Sequence, residues 1–146
     1  MSNDNSLNPE KGRAFQSLCA ELLYQHFGVR FVLDHAIPIG NPPKEHRFDL
    51  VSKDLRYVGE AKNYSWTEAG NMPSAKMAFL NEAVLFLSLT SAAVKRFIVM
   101  RKATHPRRQE TLASYYYRTY VHLLDGISIL EVDTVAKTLK AIGNAR

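Results

Sequence analysis

The sequence predicts a single α/β domain with a mixed central β-sheet flanked by helices. Segments rich in β-branched and aromatic residues come first as a group and later alternate with segments of helical apolar spacing. The chain has 146 residues, 46% of them hydrophobic, which is enough for one substantial core. No repeat, low-complexity tract or internal linker divides it. We therefore expect one domain over residues 9–146, after a polar, disordered segment over residues 1–8.

The first predicted element is an amphipathic helix over residues 9–27. Gly28 follows it where a C-terminal stop is expected. The apolar side chains that recur at helical spacing are Phe15, Leu18, Cys19, Leu22 and Leu23. Cys19 is the single cysteine of the chain, which excludes an intramolecular disulfide, and its apolar neighbours predict a buried side chain and not a nucleophile.

Three strands are predicted next. Residues 29–39 are rich in β-branched and aromatic side chains and end at a Gly-Asn-Pro-Pro sequence that cannot continue a strand. The following two strands, residues 46–52 and 55–63, are separated by Lys53-Asp54. This dipeptide predicts a tight turn, so the two strands should form a hairpin.

The second half of the chain alternates between helices and strands. Ser74 can cap a helix that runs to residue 89, and this segment is so apolar that we expect most of its circumference to be covered. The remaining elements are a buried strand over residues 95–102, a helix over 107–124, a strand over 127–133 and a short helix over 134–142. The complete predicted order is α-β-β-β-α-β-α-β-α.

Three charged residues, Asp49, Glu60 and Lys62, lie among apolar residues in the two strands of the predicted hairpin. Alternate side chains share a face of a strand, so Glu60 and Lys62 should project to the same side as Val58. The turn can bring Asp49 of the partner strand opposite Glu60, on the face that it shares with Val51. Two carboxylates and one amine then converge, which suits a divalent cation beside an activated water. The alternative is a solvated ion pair, but the apolar neighbours on the same face favour a site.

The spacing of these residues resembles the PD-(D/E)XK nuclease superfamily, whose fold is restriction-endonuclease-like. Asp49 is followed eleven residues later by Glu60-Ala61-Lys62, after a helix and before a helix and a strand. The resemblance covers about residues 10–132 and depends on this context, because an isolated Glu-x-Lys is common by chance. Phe48 stands where the proline of the family motif is expected, a change that members tolerate because the acid binds the metal.

The resemblance implies roles for the catalytic residues. Asp49 and Glu60 would hold Mg²⁺, with Mn²⁺ as a substitute, the backbone carbonyl of Ala61 would be a further ligand, and Lys62 would assist the water. Many members also carry a glutamate on the first helix in a pattern like Gly-x-x-x-Glu. Here Gln16 occupies that position and Glu21 is the next acid, five residues and about 140° around the helix. Only one of them can face the metal, and a solvated Glu21 is an equal alternative.

The chain is basic, with a formal net charge of +5, which favours a polyanionic partner. Aromatic and basic side chains that follow the predicted strands could stack on bases or contact phosphates, although core packing and solvated loops are the alternatives. These candidate nucleic-acid-binding residues are Tyr64, Trp66, Lys76, Lys102, His105, Arg107 and Arg108. The spacing of His35 and His46 does not indicate a zinc site, so we expect them to flank the sheet.

The function expected from these features is that of a small Mg²⁺-dependent endonuclease, with DNA favoured over RNA as the substrate. Cleavage of two strands would need a homodimer or a larger assembly, because one domain of this size carries a single site. The alternatives are a non-catalytic module that binds nucleic acid or protein, and an RNase acting as a toxin or defence component. The absence of a signal-like N-terminus and of a long apolar stretch predicts a cytoplasmic protein with no membrane partner.

Overall fold

The computed structural model describes residues 9–144, so the segment predicted to be disordered, residues 1–8, lies outside the described part. The described residues form three α-helices and six strands. In chain order these are α1 Pro9–Phe27, β1 Phe31–Ile39, β2 Lys44–Ser52, β3 Tyr57–Lys62, α2 Ser74–Ser88, β4 Lys95–Arg101, α3 Leu112–Tyr120, β5 Ile127–Asp133 and β6 Thr138–Asn144. A short 3₁₀ helix, Val121–Leu123, follows α3.

All six strands belong to one mixed sheet, ordered β1-β2-β3-β4-β5-β6. The pairs β1-β2, β2-β3 and β5-β6 are antiparallel, whereas β3-β4 and β4-β5 are parallel. The parallel pairs are joined through α2 and α3, as crossover connections require. The α/β class with a mixed sheet flanked by helices is therefore confirmed. The carboxyl ends of β3, β4 and β5 lie at the same edge of this sheet.

Helices cover both faces of the sheet and form two hydrophobic cores. Helix α1 packs on one face, and α2 and α3 pack on the other. In β4, Phe97 and Val99 belong to the α1 core, while Ile98 and Met100 belong to the core with α2 and α3. This strand is buried on both faces, as its continuous apolar centre predicts. Cys19 is completely buried in the α1 core, where burial raises the pKa of its thiol, in agreement with a structural role.

Helix α2 is less covered than its composition predicts. Its buried residues are Met77, Leu80, Ala83, Val84 and Leu87. The opposite side leaves Phe79 and Leu85 exposed, at 50% and 57% of their surface. Its N-cap residue is Pro73, and the structure shows no side-chain cap there, so the prediction that Ser74 caps the helix is wrong.

Helix α3 begins five residues later than predicted, at Leu112 and not at Arg107. The preceding residues form a closed loop, in which the backbone N–H of His105 donates to the carbonyl of Glu110 at 2.8 Å. Thr111 is the N-cap, and its side chain accepts a hydrogen bond from the backbone N–H of Ser114 at 3.2 Å. The basic residues expected at the helix start therefore lie in a loop.

The predicted last helix, residues 134–142, is wrong. The chain turns at residues 134–137 and returns as β6, antiparallel to β5. The carboxylate of Asp133 accepts hydrogen bonds from the backbone N–H groups of Val135 and Ala136, at 2.9 and 3.0 Å, which is the local chemistry of a turn. Pairing with β5 supplies the backbone hydrogen bonds that a short helix would otherwise have to make itself.

No helix in the described part of the chain combines the length and the apolar character needed to cross a membrane.

Candidate active site

The candidate site lies where β2 and β3 separate. Their ladder contains two residue pairs, Leu50 with Gly59 and Val51 with Val58. Side-chain contacts continue beyond it. The backbone N–H of Ala61 donates to Oδ2 of Asp49 at 2.9 Å, and the backbone N–H of Asp49 donates to Oε2 of Glu60 at 3.3 Å. The two carboxylates are thus adjacent, as the sequence predicts.

Asp49 occupies an irregular position in β2. Phe48 and Val51 pack in the core with α2 and α3, whereas Leu50 packs in the α1 core. A regular strand would place Phe48 and Leu50 on the same face, so the alternation is interrupted between them. Asp34, on β1 opposite Asp49, has a positive φ of 53° and is left out of the β1-β2 ladder. The expectation that Asp49 simply shares a face with Val51 is therefore wrong.

This irregularity lets Asp49 reach toward α1. Nε2 of Gln16 donates a hydrogen bond to Oδ1 of Asp49 at 3.1 Å. Glu21, by contrast, is exposed and lines a separate cavity with Ser17 and Tyr24. Of the two residues proposed on the first helix, the structure brings Gln16 to the site and leaves Glu21 away from it.

Glu60 is the buried acid of the pair, with 7% of its surface exposed. Burial, followed by the adjacent Asp49, raises its pKa well above the ordinary value, and the ammonium of Lys62 opposes this shift. Oε1 of Glu60 lies 3.9 Å from Nε2 of His46. His46 is held by stacking on Phe86 of α2, with ring centroids 4.1 Å apart.

Lys62 lines a cavity of about 220 Å³ beside Asp49. The other lining residues are Gly12, Phe15, Gln16, Ala61, Asn63 and Tyr64. Nζ of Lys62 and Nζ of Lys76 lie 6.0 and 4.9 Å from the centre of the Tyr64 ring. Burial raises the pKa of Tyr64, although Lys62 opposes the effect. Two ammonium groups and a phenol thus face the region next to the carboxylates.

The close packing of β3 against β4 holds β3 in position. A Cβ atom on Gly59 would lie 2.3 Å from the ring of Phe97, so a larger residue there could not be accommodated without movement of that ring. Gly59 and Ala61 face α1, and Val58 faces α2 and α3. The alternation predicted for β3 is therefore confirmed for Val58, Gly59 and Ala61, whereas Lys62, the last residue of the strand, lines a cavity together with residues of α1.

The donor set of the site fits a hard cation. Among residues 9–144, no group of three or more His, Cys, Asp or Glu side chains is arranged as a metal site. A cation here would depend on the carboxylates of Asp49 and Glu60 together with the main-chain carbonyl of Ala61. Mg²⁺ accepts this number of protein oxygens because it keeps several waters. A bound cation would also relieve the repulsion between two adjacent carboxylates when both are ionised.

Of the predicted nucleic-acid-binding residues, two are buried, Tyr64 and Lys76 are half-buried, and Lys102, Arg107 and Arg108 are exposed. Trp66 and His105 are buried, at 9% and 7% exposure. Nε1 of Trp66 donates to the carbonyl of Ala103 at 2.9 Å, and Nε2 of His105 lies 2.8 Å from the carbonyl of Gly70. Their rings meet edge to face, with centroids 4.8 Å apart. These two side chains hold the loops after β3 and β4 together and do not form an open stacking surface.

The three exposed basic residues have polar partners within the described part of the chain. Nη2 of Arg107 donates to the carbonyl of Ala69 at 2.6 Å, and Nη2 of Arg108 lies 3.3 Å from Oε1 of Glu110. Nζ of Lys102 lies 3.8 Å from Oδ2 of Asp133. Exposed ion pairs of this kind contribute little stability and exchange readily with other anions.

Three residues near the site were missed by sequence reasoning as functional candidates. His46 was expected only to flank the sheet, and nothing in its spacing indicates the contact with Glu60. Nε of Arg101 donates to Oδ1 of Asn63 at 2.6 Å, next to Lys62. Arg101 is the last residue of β4 and Asn63 is the first residue after β3, and these strands are parallel neighbours, so the predicted topology could have indicated the proximity of the two residues.

Comparisons of the chain with protein-family models, with curated proteins and with solved structures gave no significant match.

Proposed function

We propose that this protein is a metal-dependent nuclease that hydrolyses phosphodiester bonds, with DNA as the favoured substrate. The observation that carries the proposal is the convergence of Asp49, Glu60 and Lys62 beside an open cavity. The element order from α1 to β4 also supports the proposal, because the resemblance to the PD-(D/E)XK superfamily depends on a helix before the hairpin strands and a helix and a strand after them.

Asp49 and Glu60 would hold Mg²⁺, with the carbonyl of Ala61 as a third protein oxygen. A bound cation would neutralise the negative charge that develops on the phosphate and would lower the pKa of a water molecule bound to it. Gln16 positions one oxygen of Asp49, and the backbone N–H of Ala61 positions the other. The burial of Glu60 limits its motion and excludes water from its side of the pair.

Lys62 is the residue that distinguishes a hydrolytic site from a cation site alone. Its ammonium can orient the attacking water and stabilise the negative charge on the non-bridging phosphate oxygens. In the reaction, the water oxygen bonds to phosphorus, the bond from phosphorus to the 3′ oxygen breaks, and the leaving oxygen takes up a proton. The half-buried Lys62 lines the open cavity, where a phosphate can enter.

The experiment is a cleavage assay with plasmid, linear duplex, single-stranded DNA and RNA, each with Mg²⁺, Mn²⁺ or EDTA. The variants are Lys62→Ala and Lys53→Ala, a matched control, because Lys53 is an exposed lysine at the other end of the hairpin. We expect metal-dependent cleavage that is lost in Lys62→Ala and kept in Lys53→Ala. If the protein cleaves RNA and none of the DNA substrates, RNA is the substrate and DNA is not.

If the wild-type protein cuts none of the polymers, the nuclease proposal fails. Equal DNA binding by the wild-type protein and Lys62→Ala would then indicate a non-catalytic binding module. Cleavage that survives in Lys62→Ala would instead remove Lys62 from the catalytic set, and the reaction would have to be assigned to other residues.

A further inference from the structure

A second cavity, of about 380 Å³, lies next to the candidate active site at the same edge of the sheet. Asn63 and Tyr64 line the first cavity, and the very next residue, Ser65, lines the second. Arg101, the last residue of β4, and the following Lys102 line the second cavity together with Glu68. The ammonium of Lys102 lies 3.8 Å from the carboxylate of Asp133, so Arg101 is the cation of this cavity without an ion-pair partner among the described residues. Consecutive residues of the loop after β3 therefore line the two cavities. The first cavity has Asp49 and Lys62 in its lining, and the second has Glu68, Arg101 and Lys102.

Arg101 is an unusual cation in this position. It is half-buried, and its surroundings lower the pKa of its guanidinium through desolvation. Nε donates to the side-chain oxygen of Asn63 at 2.6 Å, and Asn63 lines the first cavity. Among residues 9–144, no carboxylate lies within ion-pair distance of it. Charges that are withdrawn from water are normally paired, so this guanidinium can bind an anion that the described residues do not supply.

The remaining groups of the second cavity suit a phosphate. Hydroxyl groups of Ser65, Thr67 and Thr104 are among its lining side chains, and each can donate to a phosphate oxygen. Lys62 pairs with Met100 across the parallel strands, one residue before Arg101. Lys62 and Arg101 therefore lie on neighbouring strands, whose backbones are about 4.8 Å apart. Lys62 lines the first cavity and Arg101 lines the second.

We propose that Arg101 and the cavity beside it form a second phosphate subsite, so that the substrate is a polynucleotide held at two neighbouring phosphates and not an isolated phosphodiester. This inference rests on the proposed function, which places the phosphate that is cleaved in the first cavity. Arg101 is a binding residue in this assignment. The subsite selects polymers over mononucleotide esters, because only a polymer can occupy both positions at once.

The first test measures binding without turnover. A labelled single-stranded oligodeoxynucleotide is titrated in EDTA by fluorescence anisotropy at several salt concentrations, with the wild-type protein, Arg101→Gln, Arg101→Lys and the control Arg30→Gln. Arg30 is an exposed arginine that lies over the ring of Tyr24, 4.4 Å from its centre. We expect the slope of log K against log salt to be smaller by about 0.7 in Arg101→Gln, as for the loss of one phosphate contact on a single strand. The slope should be kept in the other two variants.

The second test compares bis(p-nitrophenyl) phosphate, which has one phosphate, with the oligonucleotide as substrates. We expect Arg101→Gln to lose about tenfold more kcat/KM on the oligonucleotide than on the small diester, because only the oligonucleotide can place a phosphate in the second cavity. A tenfold change corresponds to about 1.4 kcal/mol. Equal losses on both substrates would overturn the subsite. An unchanged salt slope in Arg101→Gln would do the same.

The outcomes separate the two proposals. If the protein cuts nothing but the salt slope falls in Arg101→Gln, the nuclease proposal fails and the phosphate subsite stands. If the protein cuts and Arg101→Gln behaves as Arg30→Gln does, the subsite fails and the nuclease stands. A slope that falls equally in Arg101→Lys would assign the effect to the lost Asn63 contact and overturn the subsite, because lysine keeps the charge.

Discussion

At the scale of single residues, the chemistry of the candidate site depends on the different environments of two carboxylates. Glu60 is buried and has a raised pKa, whereas Asp49 is partly exposed and receives hydrogen bonds from Gln16 and from the backbone of Ala61. Two adjacent acids in such unequal surroundings are typical of sites that bind a cation or transfer a proton. The environment of Glu60 leads to a prediction about stability, and that of Asp49 to one about activity.

The contribution of Glu60 to the stability of the protein in EDTA should fall as the pH rises above about 4.3, the ordinary pKa of glutamate. The folded-state pKa of Glu60 is raised, so between the two pKa values the native state binds more protons than the unfolded state, and unfolding becomes easier with rising pH. Glu60→Gln should remove this component. The measurement is urea unfolding over a pH series, with exposed Glu82→Gln as the control. Parallel pH profiles for the wild-type protein and Glu60→Gln would contradict the prediction.

Gln16→Ala should lower kcat/KM on the polymer that is cleaved, by up to about tenfold, the equivalent of one hydrogen bond of about 0.5–1.5 kcal/mol. The reason is that Gln16 positions Asp49 through a 3.1 Å hydrogen bond. Glu21→Ala is the matched control on the same helix and should leave kcat/KM unchanged, because Glu21 lines a different cavity. Equal effects of the two substitutions would show that Gln16 has no specific role at the site.

At the scale of secondary-structure elements, the C-terminal segment shows how the tertiary environment selects between two local patterns. Val135, Leu139 and Ile142 have the spacing of a helical face, which is why the sequence predicts a helix. As a strand, the same segment places Leu139 against the α1 core and Ile142 against the core with α2 and α3, while Val135 is 93% exposed in the turn. The edge of β5 supplies hydrogen bonds that decide the outcome.

Leu139→Ala should destabilise the protein by about 1–2 kcal/mol, less than the about 2–5 kcal/mol of a fully buried leucine because this side chain is only partly buried. Val135→Ala should change the free energy of unfolding by no more than about 0.5 kcal/mol. Both values come from urea unfolding of the purified variants. If the segment were a helix with Val135 and Leu139 on one buried face, the two substitutions would lower the free energy of unfolding by similar amounts. Similar losses would therefore contradict the strand.

At the scale of the whole molecule, the sheet is the element that joins the two cores and the site. Its central parallel strands bring the ends of β3 and β4 to one edge, and the outer antiparallel strands cover what would otherwise be exposed edges. Strand β6 protects β5, which is buried along most of its length. An uncovered edge of this kind is a template for pairing with other chains.

Ending the chain after Asp133 should therefore produce a destabilised protein that aggregates, although the residues of the candidate site all remain. The matched control ends after Asn144, which keeps β6 complete. Size-exclusion chromatography and thermal unfolding measure the difference. A monomeric truncated protein as stable as the control would show that β6 is dispensable for the fold.

The sequence by itself determined the α/β class, the hairpin, the buried β4 and the proximity of Asp49 to Glu60. These features follow from local patterns: side-chain alternation, apolar runs and turn residues act over a few positions, and the hairpin is short enough for its register to place the two acids together.

Only the tertiary structure decided the irregular position of Asp49, the choice of Gln16 over Glu21, the burial of Trp66 and His105, and the strand at residues 138–144. It also placed Arg101 against Asn63, 38 positions away in the chain. The physical reason is common to these cases. Each depends on groups from distant segments that satisfy hydrogen bonds or cover apolar surface, and such partners are not encoded in the spacing of neighbouring residues.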